Sequence, residues 1–258
     1  MSLEIAVLAK YVPNPSGLPP EIGPDFRLRR EDPNAGLDPS DEPGVELAVR
    51  LGEELGGSVT AVSAGPEPAV RALWRTLALG ADRAVLVTDE ALAGADALAT
   101  ARVLAAAIAR RPFDLVLAGV ESTDGATGTM PMVLAELLSL PAATFARHVA
   151  HTDGRVSIER QTSSGYDVIE SELPTLVTVT AGAATARYPS VRDNLLAKKK
   201  PLERLSLADL GLSPADVEAR QQVTAVEIAA QKQAGELVED EAEAPGRIVH
   251  FLADAGVT

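Results

Sequence analysis

Cysteine is absent from this chain of 258 residues, which removes disulfides, thiolate nucleophiles and cysteine-ligated metal centres at once. Histidine is scarce too: His148, His151 and His250 are the only three, too few and too scattered for a metal site. Positive charge is in short supply, with 23 Lys and Arg against 37 Asp and Glu, a formal net charge of -14. Phosphate repulsion at that charge argues against nonspecific nucleic-acid binding. Aromatics are only 3% of the residues, so the interior must be built from Ala, Val and Leu. No apolar run is long enough to span a bilayer, and "MSLEIAVLAKYVPNP" has too short an apolar stretch and too little leading charge for a signal peptide. These absences point to the cytoplasm, with no direct membrane insertion. There is also no G-x-S-x-G elbow, no Walker A loop, no G-x-G-x-x-G fingerprint and no carboxylate pair that stands out, so no catalytic residue is assigned.

What is present is a repeating alternation. Short continuous apolar runs at 3–9 (LEIAVLA), 58–64 (SVTAVSA), 84–88 (AVLVT) and 114–120 (DLVLAGV) read as buried strands. Between them lie amphipathic helices. One opens at Asp41 as cap with Pro43 in its first turn and closes at Gly56-Gly57. A second carries the stripe Val70, Leu73, Trp74, Leu77 before Gly80. A third carries Ala97, Ala101, Leu104 and Ile108, with Arg110 and Arg111 at the negative end of its dipole. Buried strands alternating with such helices predict an α/β fold: a doubly wound, mostly parallel, Rossmann-like sheet covered on both faces.

After Pro141 the pattern changes. Apolar and polar residues alternate around turns at Asp153-Gly154 and Ser164-Gly165, which predicts an antiparallel β meander over about 141–180, its last run (TLVTVT, 175–180) rejoining the main sheet. Residues 182–204 read as an extended loop and arm. From 213 the composition turns polar and acidic, with Glu236, Glu239, Asp240, Glu241 and Glu243 close together, and a short apolar helix follows at 246–256. Such a tail lacks a core of its own and must lie on this domain or on another chain.

In an open parallel sheet, ligands bind beyond the carboxyl ends of the strands. Four segments converge there: Leu8 to Lys10, LDPSDE (37–42), SAGPE (63–67) and AGVESTDGATGTMP (118–131). In the last, Gly119, Gly125 and Gly128 permit close backbone approach, while Ser122, Thr123, Thr127 and Thr129 bring hydroxyls. N–H groups opening the next helix could cradle a phosphate. The same loop also fits a βα connection that merely needs turn residues.

One segment stands against the acidic background: "RYPSVRDNLLAKKKP" (187–201), with three adjacent lysines. Within VTVTAGAATARYPSVRDNLLAKKKPLERLSLADLGL (177–212) it resembles the beta subunits of electron transfer flavoproteins, in which a strand leads to an Arg-Tyr/Phe-Pro-Ser loop, an Ala-Lys-Lys-Lys run and a Leu-Asp/Glu-Leu-Gly turn. AGVESTDGATGTMPMVLAELLSLP resembles that family's nucleotide loop. AVSAGPEPAVRALWRTLALGADRAV resembles its Ser-x-Gly-Pro helix, and AGELVEDEAEAPGRIVHFL its C-terminal arm.

The resemblance implies a heterodimer in which a larger alpha subunit holds most of an FAD and this chain buries a structural AMP. The complex would be an electron carrier and not an enzyme. It would accept electrons from acyl-CoA and related dehydrogenases, as in fatty acid beta-oxidation, and pass them to a quinone oxidoreductase. Carried over, the AMP site comprises Leu8, Asp38, Pro39, Ser40, Asp41 and Ala64. The loop adds Gly119, Val120, Glu121, Ser122, Thr123 and Asp124, then Gly125, Ala126, Thr127, Gly128, Thr129 and Met130. The recognition loop that docks on dehydrogenases comprises Arg187, Tyr188, Pro189, Ser190, Val191 and Arg192 with Lys198, Lys199 and Lys200, Val191 being the anchor. The implied division is an α/β domain over 1–212, including the meander and the recognition loop, and an arm over 213–258 packed on the partner subunit. The family often has Asp at Ala126, Gln at Thr129, Val-Gly-Pro at Met130 to Met132, a second acid at Gln161 and leucine at Val191. Two alternatives stay open: an electron-bifurcating relative with a second FAD reduced by NADH, and a stand-alone adenine-nucleotide-binding regulatory module resembling universal stress proteins.

Overall fold

The apolar run at the start of the chain forms strand β1, Glu4–Leu8, and becomes the centre of a sheet. In a computed structural model, residues 2–14, 21–30, 34–227, 238 and 242–257 are described. Glu236, Glu239, Asp240 and Glu241 lie outside them. The first of two units, Met1–Val223, holds the sheet; the second, Thr224–Thr258, holds helix α6, Ala244–Asp254, none of whose residues is buried.

Alternation of strand and helix continues as read. After a two-residue pairing of β2 (Tyr11–Val12) with β3 (Gly36–Leu37) come helix α1 (Glu42–Leu55), β4 (Ser58–Ala64) and α2 (Val70–Leu79). β5 (Arg83–Val87), α3 (Ala97–Ile108), β6 (Leu115–Gly119) and α4 (Met130–Leu137) complete the run. The meander is β7 (Ala142–Thr152), β8 (Arg155–Thr162) and β9 (Gly165–Glu172), and β10 (Thr175–Val179) returns to the sheet between β6 and β7. Helix α5 (Val191–Ala197) and strand β11 (Leu202–Leu205) close the unit's regular structure.

One nine-stranded sheet results, in the order β11-β5-β4-β1-β6-β10-β7-β8-β9. Its ladders are parallel from β11 through β7 and antiparallel from β7 to β9. Successive side chains point to opposite faces, so one five-residue strand feeds two cores. Ile5 and Val7 pack with Leu47, Leu73 and Leu77 from α1 and α2; Ala6 and Leu8 pack with Leu104, Ile108 and Leu134 from α3 and α4. This explains why the central strands lack polar alternation: both faces are covered. Gly57 is there for closeness, since a Cβ would drive into the Leu3 carbonyl.

Two expectations need correction. Residues 182–204 are not an extended arm. Ser190 begins a helix through a capping box with Asp193 (Ser190 Oγ–Asp193 Oδ2 2.6 Å), and Leu202–Leu205 adds an edge strand parallel to β5. The helix has only seven residues, too few for its period to show in the sequence. Asp41 occupies the N-cap of α1, yet its side chain makes no capping bond. It is used elsewhere.

Candidate functional site

β1 leads to α1 and to strands on one side of it, whereas β6 lies on its other side, so the strand order reverses between β1 and β6. Beyond their carboxyl ends opens a cleft of about 990 Å³. Leu8, Asp41, Ala64, Gly119, Val120, Glu121, Ser122 and Gly125 line it, and Thr127 to Met130 continue the wall. Asp38, Pro39, Ser40, Thr123, Asp124 and Ala126 do not; of these, Asp38, Ser40, Thr123 and Asp124 make the bonds that hold the wall in place.

Asp38 is fully buried and acts as the first peg. Its carboxylate accepts from the N–H of Ser40 (2.9 Å) and the N–H of Thr123 (2.9 Å), joining the turn before α1 to the glycine-rich loop. Ser40 Oγ reaches the Glu121 carbonyl at 2.8 Å. Asp124 is a second peg: Lys10 Nζ lies 2.5 Å from one oxygen and Arg30 Nη2 2.6 Å from the other. Burial pushes the Asp124 carboxyl up, but the Lys10 charge and hydrogen bonds from Lys10, Ser122 and Arg30 outweigh it and hold it at about 2.

Asp41 goes the other way. Its carboxylate accepts the Lys10 N–H at 2.7 Å and approaches the Gly119 amide, tying β1 to β6 at the floor of the cleft. A side chain at Gly119 would collide with Asp41 Oδ1 and the Ser40 carbonyl, so this strand end requires glycine. Burial raises the Asp41 carboxyl to about 7, with repulsion from Asp38 adding to it against the Lys10 amide and charge.

The loop leaves donors open. Among the described residues, the N–H groups of Thr127, Gly128 and Thr129 have no hydrogen-bond partner, and they precede the positive end of α4. Ala126 takes φ 44, a left-handed conformation that a short polar residue such as Asp adopts at lower cost. Ser63, on β4, lines the cleft with a buried hydroxyl that has no partner. Reading the sequence placed Ser63 in the converging segment 63–67 but assigned only its neighbour Ala64 to the site. It did not find the hairpin residues Asp25 to Arg30 or the stretch from Leu92 to Ala97, which close the cleft's other sides.

The basic segment divides into pinned and free residues. Arg187 is pinned: its guanidinium pairs with Glu46 at 3.0 Å and Glu53 at 2.7 Å, both on α1. Lys200 is pinned as well, donating to the carbonyls of Leu77 (3.0 Å) and Ala81 (2.6 Å) at the end of α2. Lys198 lies over the Trp74 ring, 5.3 Å from its centroid. Tyr188 is 94% exposed and Val191 80%, and Leu195, not anticipated, is 63% exposed on the same short helix. Ser190 caps that helix, Pro189 precedes it, and Arg192 and Lys199 are exposed. Among the described residues there is no cluster that could hold a metal ion, and no helix long and apolar enough to cross a membrane.

Comparison with known proteins agrees in all its parts. Residues 25–210 match the electron transfer flavoprotein domain. The electron transfer flavoprotein subunit beta of Mycobacterium bovis is 37% identical over 257 residues, covering 96% of this chain and 97% of its own. That of Bacillus subtilis is 36% identical over 218 residues, 84% of this chain and 85% of its own. The caffeyl-CoA reductase-Etf complex subunit CarD of Acetobacterium woodii is 36% identical over 216 residues, 82% of this chain and 81% of its own. The chain belongs to the electron transfer flavoprotein family.

Proposed function

We propose that this chain is the beta subunit of a heterodimeric electron transfer flavoprotein and that its cleft buries an AMP. The carrying observation is the cleft itself: a switch-point pocket with three unbonded loop N–H groups and one buried, unpartnered hydroxyl. These donors suit a phosphorylated, hydrogen-bonding ligand. The N–H groups of Thr127, Gly128 and Thr129 would take the phosphate, assisted by the positive end of α4. Ser63 would meet a polar edge of the ligand, and Asp38 and Asp124 keep the loop in place without touching it. In this reading the nucleotide is structural.

The redox chemistry belongs to an FAD held mostly by the alpha subunit, which takes electrons from acyl-CoA and related dehydrogenases and delivers them to a quinone oxidoreductase. This chain contributes binding and positioning, not catalysis, and works in the cytoplasm. Residues 1–212 would form the nucleotide-binding domain, and 213–258 an arm on the partner subunit. Docking is assigned to the exposed side chains Tyr188, Val191 and Arg192, with the pinned Arg187 and Lys200 keeping α5 in one pose.

A complex of this chain with its alpha subunit, mixed with a substrate-reduced acyl-CoA dehydrogenase, tests the assignment. Val191→Ala with Arg192→Ala should slow flavin reduction roughly tenfold at unchanged FAD content, since a truncated anchor costs about 1–2 kcal/mol. Unchanged coupling would remove the docking role. A second reading has one observation in its favour. The cleft, at about 990 Å³, lies at the upper end of the roughly 300–1,000 Å³ of small-ligand sites, which leaves room for a second FAD in place of AMP, reduced by NADH in a bifurcating complex.

A further inference from the structure

The hairpin at residues 21–30 has no counterpart in the core and no part in the docking segment. Ile22 and Leu28 form an isolated antiparallel bridge, and the N–H of Phe26 closes the tip on the Gly23 carbonyl at 2.9 Å. It is fastened to the nucleotide loop by Arg30 on Asp124, and Arg27 packs its guanidinium against Gly94 on the far side of the cleft. Residues Asp25 to Arg30 form one wall of that cleft.

At the tip stands Phe26. Its φ of 58 is a left-handed conformation, unfavourable for a bulky residue and easy for glycine or asparagine. Burial is incomplete in return: the residue remains 41% exposed, with aromatic surface left open. Phe26 is also the one aromatic among the described residues that line the cleft, in a chain with only 3% aromatics. The cleft's inner wall is aliphatic, with Leu8, Val62, Leu104 and Ala118. A flat heterocycle entering between those strand ends and the hairpin would meet apolar carbon on one face and Phe26 on the other.

We propose that Phe26 is the base-stacking residue of this cleft and that the 21–30 hairpin is the wall that presents it. The inference rests on the reading of the cleft as an adenine-nucleotide site and adds the residue that selects for the base. Stacking of a base on an aromatic side chain is worth enough that its removal weakens binding roughly 5- to 150-fold.

The test uses the complex with the alpha subunit, depleted of nucleotide, titrated calorimetrically with AMP and separately with ribose 5-phosphate. Phe26→Ala should weaken AMP within that range while leaving ribose 5-phosphate unchanged, and Phe26→Tyr should bind AMP as the wild type does. If wild type binds AMP and Phe26→Ala binds it equally well, the stacking role is overturned and the nucleotide reading stands. Equal weakening of both probes would show a displaced hairpin and also overturn stacking. If the wild type binds neither probe, the nucleotide reading fails and the inference with it.

Discussion

Replacing Asp41 with Asn should flatten the dependence of this chain's stability on pH. Burial raises the Asp41 carboxyl from 3.8 to about 7, so the folded state holds this proton far more tightly than the unfolded state does. Between those values the folded chain carries the extra proton, and raising the pH therefore destabilises it. The contribution is complete below the unfolded value and is lost as pH rises through about 7. At about 1.4 kcal/mol per pH unit, the whole separation amounts to about 4 kcal/mol, of which about 3 kcal/mol falls between roughly pH 5 and pH 8.5. The carboxylates held low, Asp124, Glu53 and Asp96, act on the acid side of this window and leave it undisturbed. Urea unfolding of the full chain at half-unit pH steps measures the effect. The wild type should lose stability towards pH 8.5 and Asp41→Asn should lose much less; parallel curves would refute the argument.

Asp124 gives the opposite slope at lower pH. Because its folded value is about 2, its contribution is present above the unfolded value near 3.8 and is lost as pH falls towards 2, so Asp124→Asn should lower neutral-pH stability by about 2 kcal/mol and flatten the acid limb of the same titration. Arg187→Ala leaves Glu46 buried without its partner while Glu53 is returned to water, and should cost about 2 kcal/mol by denaturant midpoint, between the values for exposed and buried pairs. Arg187→Lys should recover only part of it, because a single ammonium cannot bridge both glutamates with the same fork.

The parallel half of the sheet was legible because its strands are buried on both faces, and LEIAVLA or DLVLAGV has no other economical reading. The meander was legible from its turns: Asp153-Gly154 joins β7 to β8 as expected, while the second turn is Ser163-Ser164, one residue earlier than the expected Ser164-Gly165, because Gly165 already pairs with Thr162 as the first residue of β9. Helix α5 was hidden by its length, and β11 by its position: LERL at a sheet edge carries charges, Glu203 pairing with Arg110 at 2.8 Å. Long-range partners were invisible in principle. Arg187 and Lys200 read as free basic residues because their acceptors lie more than a hundred positions away. Asp41 followed the local capping pattern, and tertiary structure redirected its carboxylate to the Lys10 amide. The four segments of the cleft's floor came from the topology rule for open sheets, but its hairpin wall depends on a contact between Arg30 and Asp124 that no local pattern encodes.

The most direct test of the account is to co-express this chain with its alpha subunit, denature the purified complex, and quantify the released nucleotides by chromatography. One FAD and one AMP per heterodimer is the predicted result. Two FAD without AMP would assign the cleft to a second flavin, and failure of the two chains to associate would contradict the account at its root.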